Sequence, residues 1–115
     1  MKLAALPHLN QSRRTALLVM RSNGDTALCP FFGKCDGLLI VDPDSGLREF
    51  HANTEHSAET ICDLILKAGV HRLVLGFIAG PAARKLRTAG VDMRLGSCAC
   101  AVEDLALHFD VLPAL

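Results

Sequence analysis

Two turn segments carry the residues best suited to chemistry. Gly76-Phe77-Ile78-Ala79-Gly80-Pro81 reads as a strand end, a glycine turn and a helix start, and Cys98-Ala99-Cys100 places two thiols in the next strand-to-helix turn. Thiolates are soft donors suited to iron–sulfur clusters and zinc. A helix N-terminus offers free N–H groups and a favourable dipole to an anion. Thiols and amides gathered in one place would suit an anionic metal cluster.

Further donors are Cys29, Cys35, His51 and His56. A thiol at a helix N-terminus ionises more readily, and the thiolate is the metal-binding form. Cys62, next to Ile61 on a helical pattern, reads instead as a small core residue. Phe32 and Phe77 could cover a bound group, although apolar packing is the preferred reading. Gly76, Gly80 and Pro81 either contact an anion or simply shape the turn, since both uses need small residues there. Asp42 and Asp44 flank Pro43 and read as turn formers rather than nuclease carboxylates. His8, His71 and His108 carry no spacing signal and read as surface residues.

The elements that must position these groups follow from hydrophobic patterning. The chain has 115 residues, half of them apolar, which suits one domain with a real core. Thr15–Met20 and Gly37–Val41 are continuous apolar runs, read as strands buried on both faces. Asp42-Pro43-Asp44-Ser45-Gly46 turns the chain into an alternating strand over 47–51, nearer an edge, where strand pairing between chains is open. Ser57 is an expected N-cap; Ala58, Ile61, Leu64, Ile65 and Ala68 fall at helical spacing, and Gly69 ends the helix. Strands over 72–75 and 91–95, a helix begun by Pro81 and a last helix from Ala101 to about Phe109 complete the order β-β-β-α-β-α-β-α. Residues 1–14 form an N-terminal extension, 15–110 the domain and 111–115 a tail.

This order predicts a mixed sheet with right-handed crossovers. The loops 22–36, 51–56, 76–81 and 96–100 then leave one common rim, where ligand sites of open α/β sheets form. Cys29, Cys35, His51, His56, Cys98 and Cys100 are expected there.

Composition limits the function. Twelve bases balance twelve acids and there is no Trp or Tyr, which argues against nucleic acid. No apolar run reaches the roughly 18 residues of a membrane helix, and residues 1–14 lack a signal-peptide pattern, so a reducing cytoplasmic setting is expected. Five cysteines, an odd number, point there to metal or thiol chemistry rather than disulfides.

Phe32-Gly33 after the first strand, Leu38–Asp42 leading into the hairpin, Asn53 after the third strand, and Gly76-x-x-x-Gly80-Pro81-x-Ala83 with Leu86 and Gly90-Val91 form an ordered series. It resembles the dinitrogenase iron-molybdenum cofactor-binding family, which includes NifX-type carriers and the C-terminal domain of the NifB synthase. The match covers about residues 15–105. The resemblance implies a ribonuclease H-like five-stranded α/β fold, with Phe32, Gly33, Asn53, Gly76, Gly80 and Pro81 in the cofactor-binding region. It also implies a non-catalytic carrier of an iron-sulfur or iron-molybdenum cofactor precursor, of the kind used in nitrogen fixation, with cofactor donor and recipient proteins as partners. The Cys98-x-Cys100 pair is not part of the general pattern.

The expected ligand set is therefore Cys98 and Cys100, with Cys35, Cys29 and His56 as further donors. A structural zinc-thiolate domain is the alternative. A thiol-redox or small-anion-binding protein ranks last, since no Cys-x-x-Cys is present and no base is spaced to activate a thiol.

Overall fold

The computed structural model describes residues 13–115; most of the expected N-terminal extension, residues 1–12, lies outside the described residues. The strands are β1 (Thr15–Ser22), β2 (Asp25–Leu28), β3 (Gly37–Val41), β4 (Arg48–Ala52), β5 (Arg72–Leu75) and β6 (Asp92–Leu95). The helices are α1 (Ala58–Ala68), α2 (Gly80–Thr88) and α3 (Val102–Leu107). Sheet order is β4-β3-β1-β5-β6, with β2 paired to the far end of β1. The expected mixed sheet is present, and β2 is added to it.

β2 exists because Asn23-Gly24 closes a two-residue hairpin. Both residues have positive φ (53° and 85°), as the tight turn matching strand twist requires. Ser22 then pairs with Asp25 and Val19 with Leu28.

Two apolar layers explain the continuous runs. Ala16, Leu18, Leu38, Ile40, Leu73 and Leu75 point to one face and pack with Ile61, Ile65 and Leu86 of α1 and α2. Leu17, Val19, Leu39, Val41 and Val74 point to the other and pack with Leu105, Ala106 and Phe109. A strand covered on both faces has no polar side to alternate with.

Helix ends follow local chemistry. The Ser57 hydroxyl accepts from the Thr60 N–H at 3.2 Å, and Gly69 at φ 68° ends α1 in the left-handed region. In the hairpin turn, Asp42 Oδ1 accepts from the Asp44 N–H at 2.9 Å, so the Asp42 side chain acts as a turn former. At the chain end, Arg94 Nη1 donates to the carbonyls of Phe109, Asp110 and Leu112. The tail then lies along β6, with Leu95 donating to Pro113 at 2.8 Å and Leu115 to Met93 at 3.0 Å.

β1 runs parallel to β5, and β5 to β6, while β3 is antiparallel to both β1 and β4. The exits of β1, β4, β5 and β6 therefore share one rim, as the strand order predicts.

Candidate functional site

Three connections build the rim. After β2, residues 29–32 pass between the ends of β1 and β5: the Cys29 N–H donates to Leu18 O (2.8 Å), Phe77 N–H to Pro30 O (2.9 Å) and Phe32 N–H to Phe77 O (3.2 Å). Gly76 permits this approach, because a Cβ there would stand 2.9 Å from Pro30 Cα. Its role in the structure is backbone packing. Phe32-Gly33-Lys34 makes a single 3-10 turn. Phe32 is buried, whereas Phe31 and Phe77, paired across the strand extension, are 58% and 66% exposed.

Asn53 organises that turn from beneath. It is 1% exposed, and its Nδ2 donates to Cys35 O at 3.0 Å and Gly33 O at 3.4 Å. Its Oδ1 accepts from the Ser57 N–H at 3.3 Å. One side chain thus ties the 33–35 turn to the start of α1. Gly33 lies against Ala58 N, 3.2 Å from where a Cβ would stand.

The thiols divide by burial. Cys98 and Cys100 are exposed on the loop between β6 and α3; Cys29, Cys35 and Cys62 are buried. Cys62 packs in the core as its helical position predicts. Ser97 shapes the exposed loop, its Oγ accepting from Ala99 N–H and its carbonyl from Cys100 N–H, both at 3.1 Å. Gly96 lets the loop close over Leu28 and Val74, whose side-chain carbons come within 3.0 and 2.7 Å of a Cβ position there.

Electrostatics connects three of the thiols. Burial pushes the Cys29 thiol up; Phe31 O, accepting from its Sγ at 3.3 Å, opposes this, and Asp36 and Cys98 raise it further. Burial and then the neighbouring Cys29 push Cys35 up to about 12, while Asn53 pulls the other way. Of these three thiols, Cys98 is exposed and Cys29 and Cys35 are buried. As folded, Cys35 is a neutral thiol donating to Phe32 O at 3.3 Å. His51 bonds Glu49 at 2.8 Å. His56 is exposed at the rim, 3.7 Å from Asp36, with φ 49°. Among the described residues, no group of three or more His, Cys, Asp or Glu side chains is arranged to hold a metal ion.

The start of α2 completes the rim. Ala79 supplies no side-chain cap, and Pro81 sits at the first turn, which holds no acidic residue. The Arg84 guanidinium lies 3.4 Å from where a Gly80 Cβ would stand. A cation over a helix N-terminus opposes the dipole's own preference and adds to a positive field. Arg84 and Phe31, which the sequence analysis did not single out, also stand at this rim. Arg84 lies four residues past Gly80, within reach of the helix start. Phe31 precedes Phe32 in an extended segment, where neighbours point opposite ways.

A family profile described as "Dinitrogenase iron-molybdenum cofactor" matches residues 14–108. The apo form of the orange protein from Desulfovibrio gigas has a similar structure, with TM-score 0.78 and 22% identity over 90% of this chain and 92% of that one. A NifB candidate from Thermotoga is similar at TM-score 0.64 and 19% identity, covering 82% of this chain and 83% of that one. At such identities the likeness speaks to the fold alone. No curated protein matches this sequence. No helix among the described residues is long and apolar enough to cross a membrane.

Proposed function

We infer function from one premise: this chain belongs to the dinitrogenase iron-molybdenum cofactor family. Its role is cofactor binding and carriage rather than catalysis. The cargo is an iron-sulfur-type metallocofactor or precursor, received from one protein and passed to another in the cytoplasm.

The observation that carries this reading is the exposure of the Cys98 and Cys100 thiols on the rim loop, on the same sheet edge as the uncapped start of α2. A cluster brings its own bridging sulfides, so two protein thiolates can hold it and still release it. The α2 N–H groups and Arg84 offset its negative charge. Gly80 and Pro81 keep side-chain bulk off this approach, and Phe77 with Phe31 provides an apolar flank. Cys29 is the next donor inward. Cys35 and His56 serve as further donors, Cys35 only if the turn held by Asn53 opens and its thiol ionises. Asn53, Phe32, Gly33 and Gly76 support the rim from beneath. A structural zinc site needs a closed tetrahedral set of four ligands, which the division of the thiols between surface and interior does not favour.

Oxygen-free purification tests this. Broad visible absorbance with iron and acid-labile sulfide in the protein, directly or after reconstitution, is the expected result. One tightly held zinc without visible absorbance would overturn it.

A further inference from the structure

The sheet's two outer edges are finished differently. Along β6 the chain's own tail supplies backbone partners. Along the outer side of β4, no described residue pairs with the strand. The groups standing there follow from the ladder. Asp42 N–H donates to Leu47 O and Asn53 N–H to Asp36 O, both at 2.9 Å. Bonded and non-bonded pairs alternate between these ends. Glu49 and His51 therefore turn their backbone groups to β3, and Arg48, Phe50 and Ala52 turn theirs outward. Such an edge is a template for another strand.

We propose that β4 pairs antiparallel with the β4 strand of a second copy of this chain, about a two-fold axis at Phe50. Phe50 then faces the partner's Phe50 and exchanges both backbone bonds with it, while Arg48 faces the partner's Ala52. The outward groups meet as closely spaced pairs, as an antiparallel ladder requires.

Side-chain pairing across the axis selects this register over its neighbours. A slip in one direction sets Glu49 against the partner's Glu49; a slip in the other sets His51 against the partner's His51. Carboxylates directly opposite one another are destabilising, whereas a carboxylate opposite an imidazole can accept its ring N–H. The Phe50 register sets Glu49 against the partner's His51 at both symmetric positions. Glu49 and His51 already bond within one strand, so they share a face, with Arg14 3.8 Å from Glu49. Arg48 is drawn aside to Glu103, 2.6 Å away, and leaves the flank of the strand to the backbone. The Phe50 ring lies on the other face, under the Arg21 guanidinium at 4.0 Å.

A ladder this short buries less than the roughly 1,200 Å² of a standard stable interface, so the dimer depends on concentration. Sedimentation equilibrium of the full chain from about 10 μM to about 1 mM is the test, a range that spans weak association. A reversible monomer–dimer equilibrium is expected. Ala52→Pro abolishes it and leaves the monomer's melting temperature in place, because β3 does not use that N–H. Glu49→Lys weakens association about tenfold, and adding His51→Glu restores it by reversing the pairs. A monomer at every concentration, or a dimer indifferent to both Ala52→Pro and Glu49→Lys, would overturn the proposal. So would amide protection at Arg48 and Phe50 that does not change with concentration.

Discussion

The side-chain amide of Asn53 donates to the backbone carbonyl of Cys35 at 3.0 Å, although the two residues lie eighteen positions apart. The same amide reaches Gly33 O, and its oxygen receives the Ser57 N–H, so a buried polar side chain clamps two rim segments. Removing it strands the buried Cys35 carbonyl. Asn53→Ala is expected to lower unfolding free energy by about 1–3 kcal/mol, the cost of unsatisfied buried groups. Urea denaturation measures this. A change below a few tenths of a kcal/mol would show that the clamp contributes little.

The thiols should react in two classes. Cys98 and Cys100 are exposed, whereas Cys29, Cys35 and Cys62 are buried. Brief iodoacetamide treatment of the native, metal-free protein, read by mass spectrometry of the peptides, should label the first pair. The other three should label only with denaturant. Fast labelling of Cys35 in the native protein would mean that the 33–35 turn opens readily.

Alkaline pH should destabilise the fold through Cys35. Its folded pKa is raised to about 12 from an ordinary value of 9.0. Below about pH 9 the thiol is protonated in both states, and its contribution is fully present. Between about 9 and 12 the unfolded thiol ionises first, so stability falls as pH rises. Melting temperatures of the wild type and Cys35→Ala between about pH 8 and pH 11 check this: the wild type should lose more than the variant. Parallel losses would remove Cys35 as the cause.

Much of this arrangement is legible from residue pattern. The runs at Thr15–Met20 and Gly37–Val41 declare buried strands, Ser57 and Gly69 bracket α1, and the strand order alone predicts the common rim. The β2 strand escapes because Asp25–Leu28 is short and half polar. The informative signal was Asn23-Gly24, whose positive φ values make the hairpin. The inward turn of Cys29 and Cys35 is hidden for a different reason. An irregular segment has no period, so its inward side is set by contacts from β5 and Asn53 rather than by its own residues. Phe32 and Phe31 illustrate the same limit, one filling the core and the other left on the surface.

The account rests on the rim thiols as the cargo's protein donors. The direct measurement is iron and acid-labile sulfide bound per chain after oxygen-free reconstitution, in the wild type and in Cys98→Ser/Cys100→Ser, with circular dichroism to verify the fold. The wild type is expected to load a cluster, and the double variant to lose most of it while keeping its helices and sheet. Equal loading in a folded double variant would contradict the account.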